Sequence, residues 1–465
     1  MRTRNRRALA GDRILATALL AALLLQPATD IVAQAHDPNE GLEPLTEFTG
    51  PSLDFDFPGL LIGVAEYAEG PTGTTAFYFP DGVMGSVDVR GGSPGTLNTD
   101  ILRLGYEEPF VSAVVLSGGS AYGLSAATGA AQEIKGIRKD PGWWTNIAVA
   151  TGAIIFDLGG RRYNAVTPDE RLGRAAIKAA REGHFPLGAR GAGRFALQGG
   201  YYGARQYSGQ GGAFGTFGDV RIATFTVVNS LGGIVDRDGR FVRCGKPARA
   251  NCPSASSVLR EPVSGMAAAE DSPAGLTTNT TISLVVTNKK MSFAELQRFG
   301  MQVHTSMARA IQPFHTINDG DTLFAVTTGE VESDELSVDE LGAHASELMW
   351  DAVLSSVPPL PERPTPSEAM LPVAGMARYT GTYRFAPEMD ATVSIQGESL
   401  VISSPRLGSM YLPEDSTIPL RPATNGDFLL ETDRADTLRF EVDRDGEVTG
   451  LTLNPGHWPV RATRL

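Results

Sequence analysis

The stretch Gly275-Leu276-Thr277-Thr278-Asn279-Thr280-Thr281 is small and polar, and it runs directly into the apolar segment Thr281–Thr287, TISLVVT. A chain cut before Thr280 would present that threonine as a new N-terminus. Its hydroxyl would be the nucleophile. Its α-amine, with an unperturbed pKa of about 7.7–8.0, would take the hydroxyl proton near neutral pH. Before the cut, the same hydroxyl could attack the Asn279 carbonyl and shift the acyl group onto oxygen, and water would then release two chains. From spacing alone these residues also fit a plain loop-to-strand transition. Asn279-Thr280-Thr281 is formally a glycosylation sequon, a reading set aside because of the export signal described below.

Other candidate chemistry fails on spacing. Gly118-Gly119-Ser120-Ala121-Tyr122-Gly123 lies on a strand-to-helix turn, where an esterase nucleophile sits. G-x-S-x-G centred on Ser120 needs glycine at 122, and Tyr122 is there. Ser120 therefore reads as a helix cap or a pocket residue. Gly188, Gly191 and Gly193 lack dinucleotide-loop spacing, and no G-x-x-x-x-G-K-[ST] occurs. The six histidines, His36, His184, His304, His315, His344 and His457, include no H-x-x-x-H pair, so no metal is expected. Asp319-Gly320-Asp321 fits a surface turn and is too poor in oxygen ligands for a calcium loop. Cys244 and Cys252, with Gly245, Pro247 and Pro253 nearby, predict a disulfide closing a short loop. The alternative, a metal or nucleophile site, finds no His or Asp cluster around them.

The elements that would position these residues follow from apolar patterning. Residues 36–56 read as an extended lead-in and 60–69 as a strand. Two short β pieces follow at 75–80 and 84–89. The segment 110–116, FVSAVVL, is a buried strand feeding a helix over 121–137, and 147–156 is again apolar. A helix over 168–182 is signalled by Pro168, by Asp169 and Glu170 in its first turn, by Arg181 near its end and by Gly183 beyond it. Residues 186–218 are rich in glycine and aromatics. A strong strand spans 220–229, a loosely structured loop 236–275, and another strand 281–287. Ser292 and Glu295 make a capping box that opens a helix to about residue 311. A strand at 322–327 and a helix at 338–357 complete this part.

Residues 358–372, PPLPERPTPSEAMLP, predict a stiff Pro-rich linker. Beyond it, 373–465 alternates in short β-type pieces separated by turn signals, which reads as a small all-β, barrel-like module.

Four blocks together resemble the DmpA-like family of L-aminopeptidase/D-esterase and β-aminopeptidase proteins. They are AVVLSGGSAYGLSAATG (113–129), VVNSLGGIVD (227–236), NTTISLVVTN (279–288) and DGDTLFAVTTGE (319–330), and the resemblance covers roughly residues 40–335. It implies an α+β fold, an αββα sandwich of the DmpA/ornithine acetyltransferase type. It also implies that the chain cuts itself between Asn279 and Thr280, making Thr280 the nucleophile. Asn229 would donate to the oxyanion. Asp319 and Asp321 would stand beside the nucleophile's amine, with Asp321 holding that amine or the substrate's ammonium. Some members carry Ser and Glu at these two positions. Gly118, Gly119, Ser120 and Tyr122 would line the substrate pocket. A tyrosine of some members falls at Phe156, which lacks a hydroxyl and departs from their pattern. The C-terminal module resembles the lipocalin-like β modules that follow some β-lactamase-type domains, through Gly381-Thr382-Tyr383 and the F-x-x-D-x-x-G-x-V run at 440–448.

Composition sets outer limits. The chain has 465 residues, 42% hydrophobic and 20% charged, an ordinary globular mix that predicts two domains. The net charge of −13 makes nucleic acid and anionic membranes poor partners. Arg2, Arg4, Arg6, Arg7 and Arg13, the apolar run 14–25 and Ala33-Gln34-Ala35 describe a cleavable signal peptide over 1–35. Its removal would leave a net charge of −16, since five arginines go with Asp12 and Asp30. The expectation is a periplasmic or secreted serine/threonine-type aminopeptidase acting on small peptides, amides or esters. It would need no cofactor and would assemble as a homo-oligomer of two-chain units. Two rivals stand beside it: a self-cutting acyltransferase of the ornithine acetyltransferase type, and an uncut envelope binding protein.

Overall fold

The computed structural model describes residues 37–103, 109–139, 147–158, 165–202, 206–244, 252–260, 279–359, 363–367, 371–386, 389–404, 417–430, 436–455 and 459–465. The signal-peptide expectation lies outside them, as does most of the expected 236–275 loop. Residues 41–465 form one unit. Its principal elements are β1 (Leu61–Tyr67), β2 (Thr72–Val89), β3 (Phe110–Ser117), α1 (Ser125–Ile137), β4 (Ala150–Ile154), α2 (Glu170–Lys178), β5 (Gln210–Phe217), β6 (Val220–Asn229), β7 (Thr280–Lys289), α3 (Phe293–Ser306), β8 (Thr322–Val331) and α4 (Val338–Ser355).

The two expected pieces at 75–80 and 84–89 are one 18-residue strand, β2. Pro80-Asp81-Gly82 reads as a turn in sequence. Here it is a bend, with an irregular register between Tyr78 and Val83 and Gly82 at φ +73°. The N-terminal half of β2 pairs with β1 and the C-terminal half with β8, while β3 runs alongside both. One hydrogen-bonded sheet, ordered β5-β6-β7-β8-β2-β3-β4, thereby folds into two facing layers.

Strand alternation sorts the side chains into three cores. Val114, Leu116, Phe225, Val227, Ile282, Leu284 and Phe324 pack between the layers. Ala113 and Val115, from the opposite face of β3, meet α1 and α2. Ile222, Val285, Leu323 and Ala325 meet α3 and α4. The architecture is therefore helix, sheet, sheet, helix. Small residues set the spacing of the outer layer, because a Cβ on Gly173 of α2 would meet the Ala126 carbonyl oxygen of α1 at 1.9 Å.

Three local expectations are corrected. Asp169 precedes α2 as its N-cap, accepting the Leu172 N–H, so the helix starts later than expected. It ends at Lys178, and Arg181–Glu182 is a short strand on β1 instead of a last helical turn. Ser120 is no helix cap. It opens a 3₁₀ turn over Ser120–Leu124 at φ +54° and its side chain makes no capping bond. The Ser292–Glu295 capping box is present on α3.

Cys244 and Cys252 form a disulfide with Cα atoms 5.7 Å apart. Cys252 is buried with Val235, Phe241 and Ala255.

The C-terminal region is a closed, up-and-down antiparallel barrel of β9 (Gly381–Ala386), β10 (Met389–Gln396), β11 (Ser399–Ser403), β12 (Thr417–Pro422), β13 (Phe428–Leu430), β14 (Thr437–Val442), β15 (Val448–Leu453) and β16 (Val460–Arg464). Side chains fill its interior, among them Tyr383, Met389, Phe428 and Phe440. The segment before it is fastened to the barrel: Ser367 N–H donates to Pro422 O at 2.8 Å and Thr424 N–H to Thr365 O at 2.9 Å. Arg194 donates to Pro459 O at 2.5 Å, joining the barrel to the sandwich.

Candidate active site

Thr280 is the first residue of β7. On one side β7 pairs antiparallel with β6, register Asn229↔Thr280. On the other it pairs in parallel with β8, which puts both strand starts at the same end and brings Asn279 beside Asp319 in an isolated bridge. The sheet order thus gathers Thr280, Asn229 and the Asp319-Gly320-Asp321 turn at one point. The side chains of Thr280, Asn229, Asp319 and Asp321 are all buried, Thr280 at 2% exposure and the other three at 0%.

The Asn279 carbonyl oxygen is held by two hydrogen bonds. The Thr280 hydroxyl donates to the Asn279 carbonyl oxygen. The same oxygen accepts the Gly320 N–H at 3.1 Å. A hydroxyl thus lies against the carbonyl it would attack, and a fixed backbone donor is aimed at the oxygen that would become negative. Gly320 is glycine for a steric reason, since a Cβ there would meet Ser93 O at 2.6 Å and Thr280 Oγ1 at 2.8 Å.

Asn229 is locked in orientation. Its Oδ1 accepts the Leu197 N–H at 3.1 Å and its Nδ2 donates to Phe156 O at 3.1 Å. The missing hydroxyl at Phe156 is therefore irrelevant to this contact, because the main-chain carbonyl makes it. The next residue, buried Asp157, accepts the Gly119 N–H at 2.7 Å and the Thr72 hydroxyl at 3.1 Å. The Gly118–Tyr122 turn is tied to the site through this Phe156–Asp157 step. Among the described residues it makes no hydrogen bond to Thr280, Asn229, Asp319 or Asp321, and Tyr122 is exposed.

The two carboxylates are held differently. Asp319 accepts the Leu231 N–H at 3.1 Å and the Thr316 hydroxyl at 2.6 Å. Burial, reinforced by the Asp321 charge, pushes its pKa up to about 6. Asp321 accepts the Thr281 N–H at 2.8 Å on one oxygen. On the other it accepts the His315 N–H at 3.0 Å and faces His315 Nδ1 at 3.1 Å. A carboxyl whose pKa is raised thus lies beside one held by three polar contacts.

Sequence reasoning missed Leu197, Thr316 and His315. Thr316, three residues before Asp319, carries the one available signal, the local spacing at which a hydroxyl reaches forward to a carboxylate. Among the described residues, no three His, Cys, Asp or Glu side chains are grouped as metal ligands.

A sequence profile of peptidase family S58 matches residues 55–359. This chain belongs to peptidase family S58. The S58 region is 44% identical over 321 residues to the 6-aminohexanoate-oligomer endohydrolase of Paenarthrobacter ureafaciens, covering 65% of this chain and 85% of that one. It is 33% identical over 307 residues to an uncharacterized aminopeptidase of Mycobacterium tuberculosis, covering 61% and 85%. Solved structures similar to the S58 region include a Burkholderia β-aminopeptidase, with TM-score 0.47, 14% identity and coverage of 66% and 88%. Another is an L-aminopeptidase D-Ala-esterase/amidase from Ochrobactrum anthropi, with TM-score 0.45, 16% identity and coverage of 67% and 88%. A profile of a domain of unknown function, DUF3471, matches residues 365–462, the barrel beside the S58 region. S58 membership makes the chain a peptidase, a hydrolase of peptide-like bonds.

Proposed function

We propose that this protein is an exported, self-processing amide hydrolase whose nucleophile is Thr280, freed by scission of the bond after Asn279. The observation that carries the reading is the Thr280 hydroxyl resting on a carbonyl that also takes the Gly320 N–H. In the cutting step Oγ1 adds to the Asn279 carbonyl carbon and the C–N bond breaks. The nitrogen leaves as the Thr280 α-amine, having gained the hydroxyl proton. Water then hydrolyses the ester, leaving a carboxylate on Asn279.

In turnover the new α-amine accepts the Oγ1 proton and the substrate acyl group passes to Oγ1. The departing amine takes the proton, and water resolves the acyl-enzyme. Asn229 Nδ2 supports the oxyanion, Asp319 exchanges protons, and Asp321 orients the nucleophile strand and the α-amine. Gly118, Gly119, Ser120 and Tyr122 border the acyl pocket. The substrate is a small peptide, amide or ester from which the N-terminal residue is released, and the working particle is an oligomer of two-chain units outside the cytoplasm.

A second reading, cleavage at internal amide bonds of ω-amino-acid oligomers, is favoured by the 44% identity to the 6-aminohexanoate-oligomer endohydrolase. Time-resolved products from a linear 6-aminohexanoate tetramer separate the two. Monomer first supports terminal release, and dimer first supports internal cleavage.

The nucleophile assignment is tested by Thr280→Ala, which should leave one uncut chain on a denaturing gel. If that variant still divides into pieces spanning 36–279 and 280–465, the assignment fails. N-terminal sequencing of material recovered from the periplasm or medium tests export, with residue 36 as the expected start.

A further inference from the structure

Asp319 and Asp321 place two carboxyl groups in a site with no exposure to solvent. Among the described residues, no lysine or arginine pairs with either of them. The group that faces them is His315. Its backbone N–H and Nδ1 both lie on Asp321 Oδ2, and its side chain is 18% exposed. The residue sits at φ +57°, and its ring is packed between Phe314, at a centroid distance of 4.0 Å, and the edge of His304, at 4.4 Å. The geometry of Asp321 is therefore set by a side chain that is itself clamped.

The surrounding charges are accounted for. From α3, His304 presents Nδ1 to Asp88 Oδ2 at 2.9 Å, and burial lowers the His304 pKa. From the end of β2, Asp88 also takes Arg90 at 2.6 Å. His304 and Arg90 are thus engaged with Asp88, and the side chain that reaches the carboxyl pair from this direction is His315.

We propose that His315 is a positioning residue of the Thr280 centre, which fixes Asp321 against the nucleophile strand. This rests on the Thr280 reading above and extends it to a residue outside the expected constellation. Loss of the ring donor takes the side-chain partner from one Asp321 oxygen and should lower kcat by about 10-fold with little change in KM, as expected when a group beside the nucleophile is no longer held in place.

His315→Asn is the first test, because asparagine tolerates the left-handed backbone and offers a side-chain N–H. His315→Gly is the second, since glycine also tolerates the left-handed backbone and removes the side-chain donor. Each is compared with the parent full-length protein in two assays. One is the appearance of the two pieces on a gel. The other is the separate measurement of kcat and KM with linear 6-aminohexanoate trimer and alanine p-nitroanilide.

The expected result is self-cutting in both variants, kcat lowered about 10-fold at unchanged KM in His315→Gly, and kcat near the parent's in His315→Asn. A parental kcat in His315→Gly overturns the inference, as does an equal loss in His315→Asn. Unfolding of both variants, seen by circular dichroism, overturns it as well, because the residue would then be structural first. A parent protein that neither cuts itself nor hydrolyses either probe refutes the Thr280 reading instead, so the two failures are distinct.

Discussion

Replacing Asp319 by asparagine in the uncut Thr280→Ala chain should stabilise the fold, and by more at higher pH. Burial and the neighbouring Asp321 charge raise Asp319 from 3.8 to about 6. The folded chain therefore holds a proton here through a window in which the unfolded chain has released it. Because the folded-state pKa is the higher one, this proton favours the fold at low pH, and the benefit is lost as pH rises through the window. A shift of about two units is worth about 3 kcal/mol in full. Between about pH 4.5 and about pH 7.5 the parent loses about 2 kcal/mol of it.

Asparagine is neutral throughout. It keeps Oδ1 for the Leu231 N–H and can donate its amide to the Thr316 hydroxyl. The unfolding free energy of Asp319→Asn relative to its uncut parent should therefore increase by about 2 kcal/mol between those two pH values. Urea unfolding of both chains at each pH is the assay. Working in the uncut chain keeps the comparison clear of any change in processing. A difference that is the same at both pH values, or that shrinks, refutes the argument that burial and Asp321 perturb this carboxyl.

Two further outcomes follow from the site. Gly320→Ala should slow self-cutting by about 10²-fold, because its Cβ would press on Ser93 O and on Thr280 Oγ1 and move the hydroxyl off its carbonyl. A time course of the two pieces on a gel measures this, and cutting at the parent rate counts against the close-contact argument. Asn229→Ala should lower kcat by about 10²–10³-fold with little change in KM if its amide supports the oxyanion, and steady-state kinetics on the processed protein reads this directly.

Much of the frame is legible in the sequence because apolar periodicity is local. FVSAVVL, VRIATFTVVN and TISLVVT each bury both faces, and they became β3, β6 and β7. Asn229 and Thr280 share a register pair because each stands at the sheet end of such a run. What sequence reading misses is non-local. Pro80-Asp81-Gly82 carries turn chemistry, but its neighbours keep pairing, so the strand bends and continues into the second layer. Gly183 suggests a helix stop, yet Arg181 and Glu182 find a better place pairing with β1. His315 looks like an isolated histidine because its partner carboxylate, its left-handed backbone and the ring of His304 meet it only after α3 and β8 have packed.

Scission would divide the sandwich in an unusual place. The later piece supplies β7 and β8, and both lie inside the sheet, flanked by β6 on one side and β2 on the other, strands that belong to the earlier piece. The two products are interleaved, and parting them means unzipping two full ladders and opening two of the three cores at once. Each half lacks the neighbours that would complete its own edges. The pair should therefore behave as a permanently intercalated unit that can be assembled only while the chain is still continuous, so the backbone connection is needed for folding and dispensable afterwards.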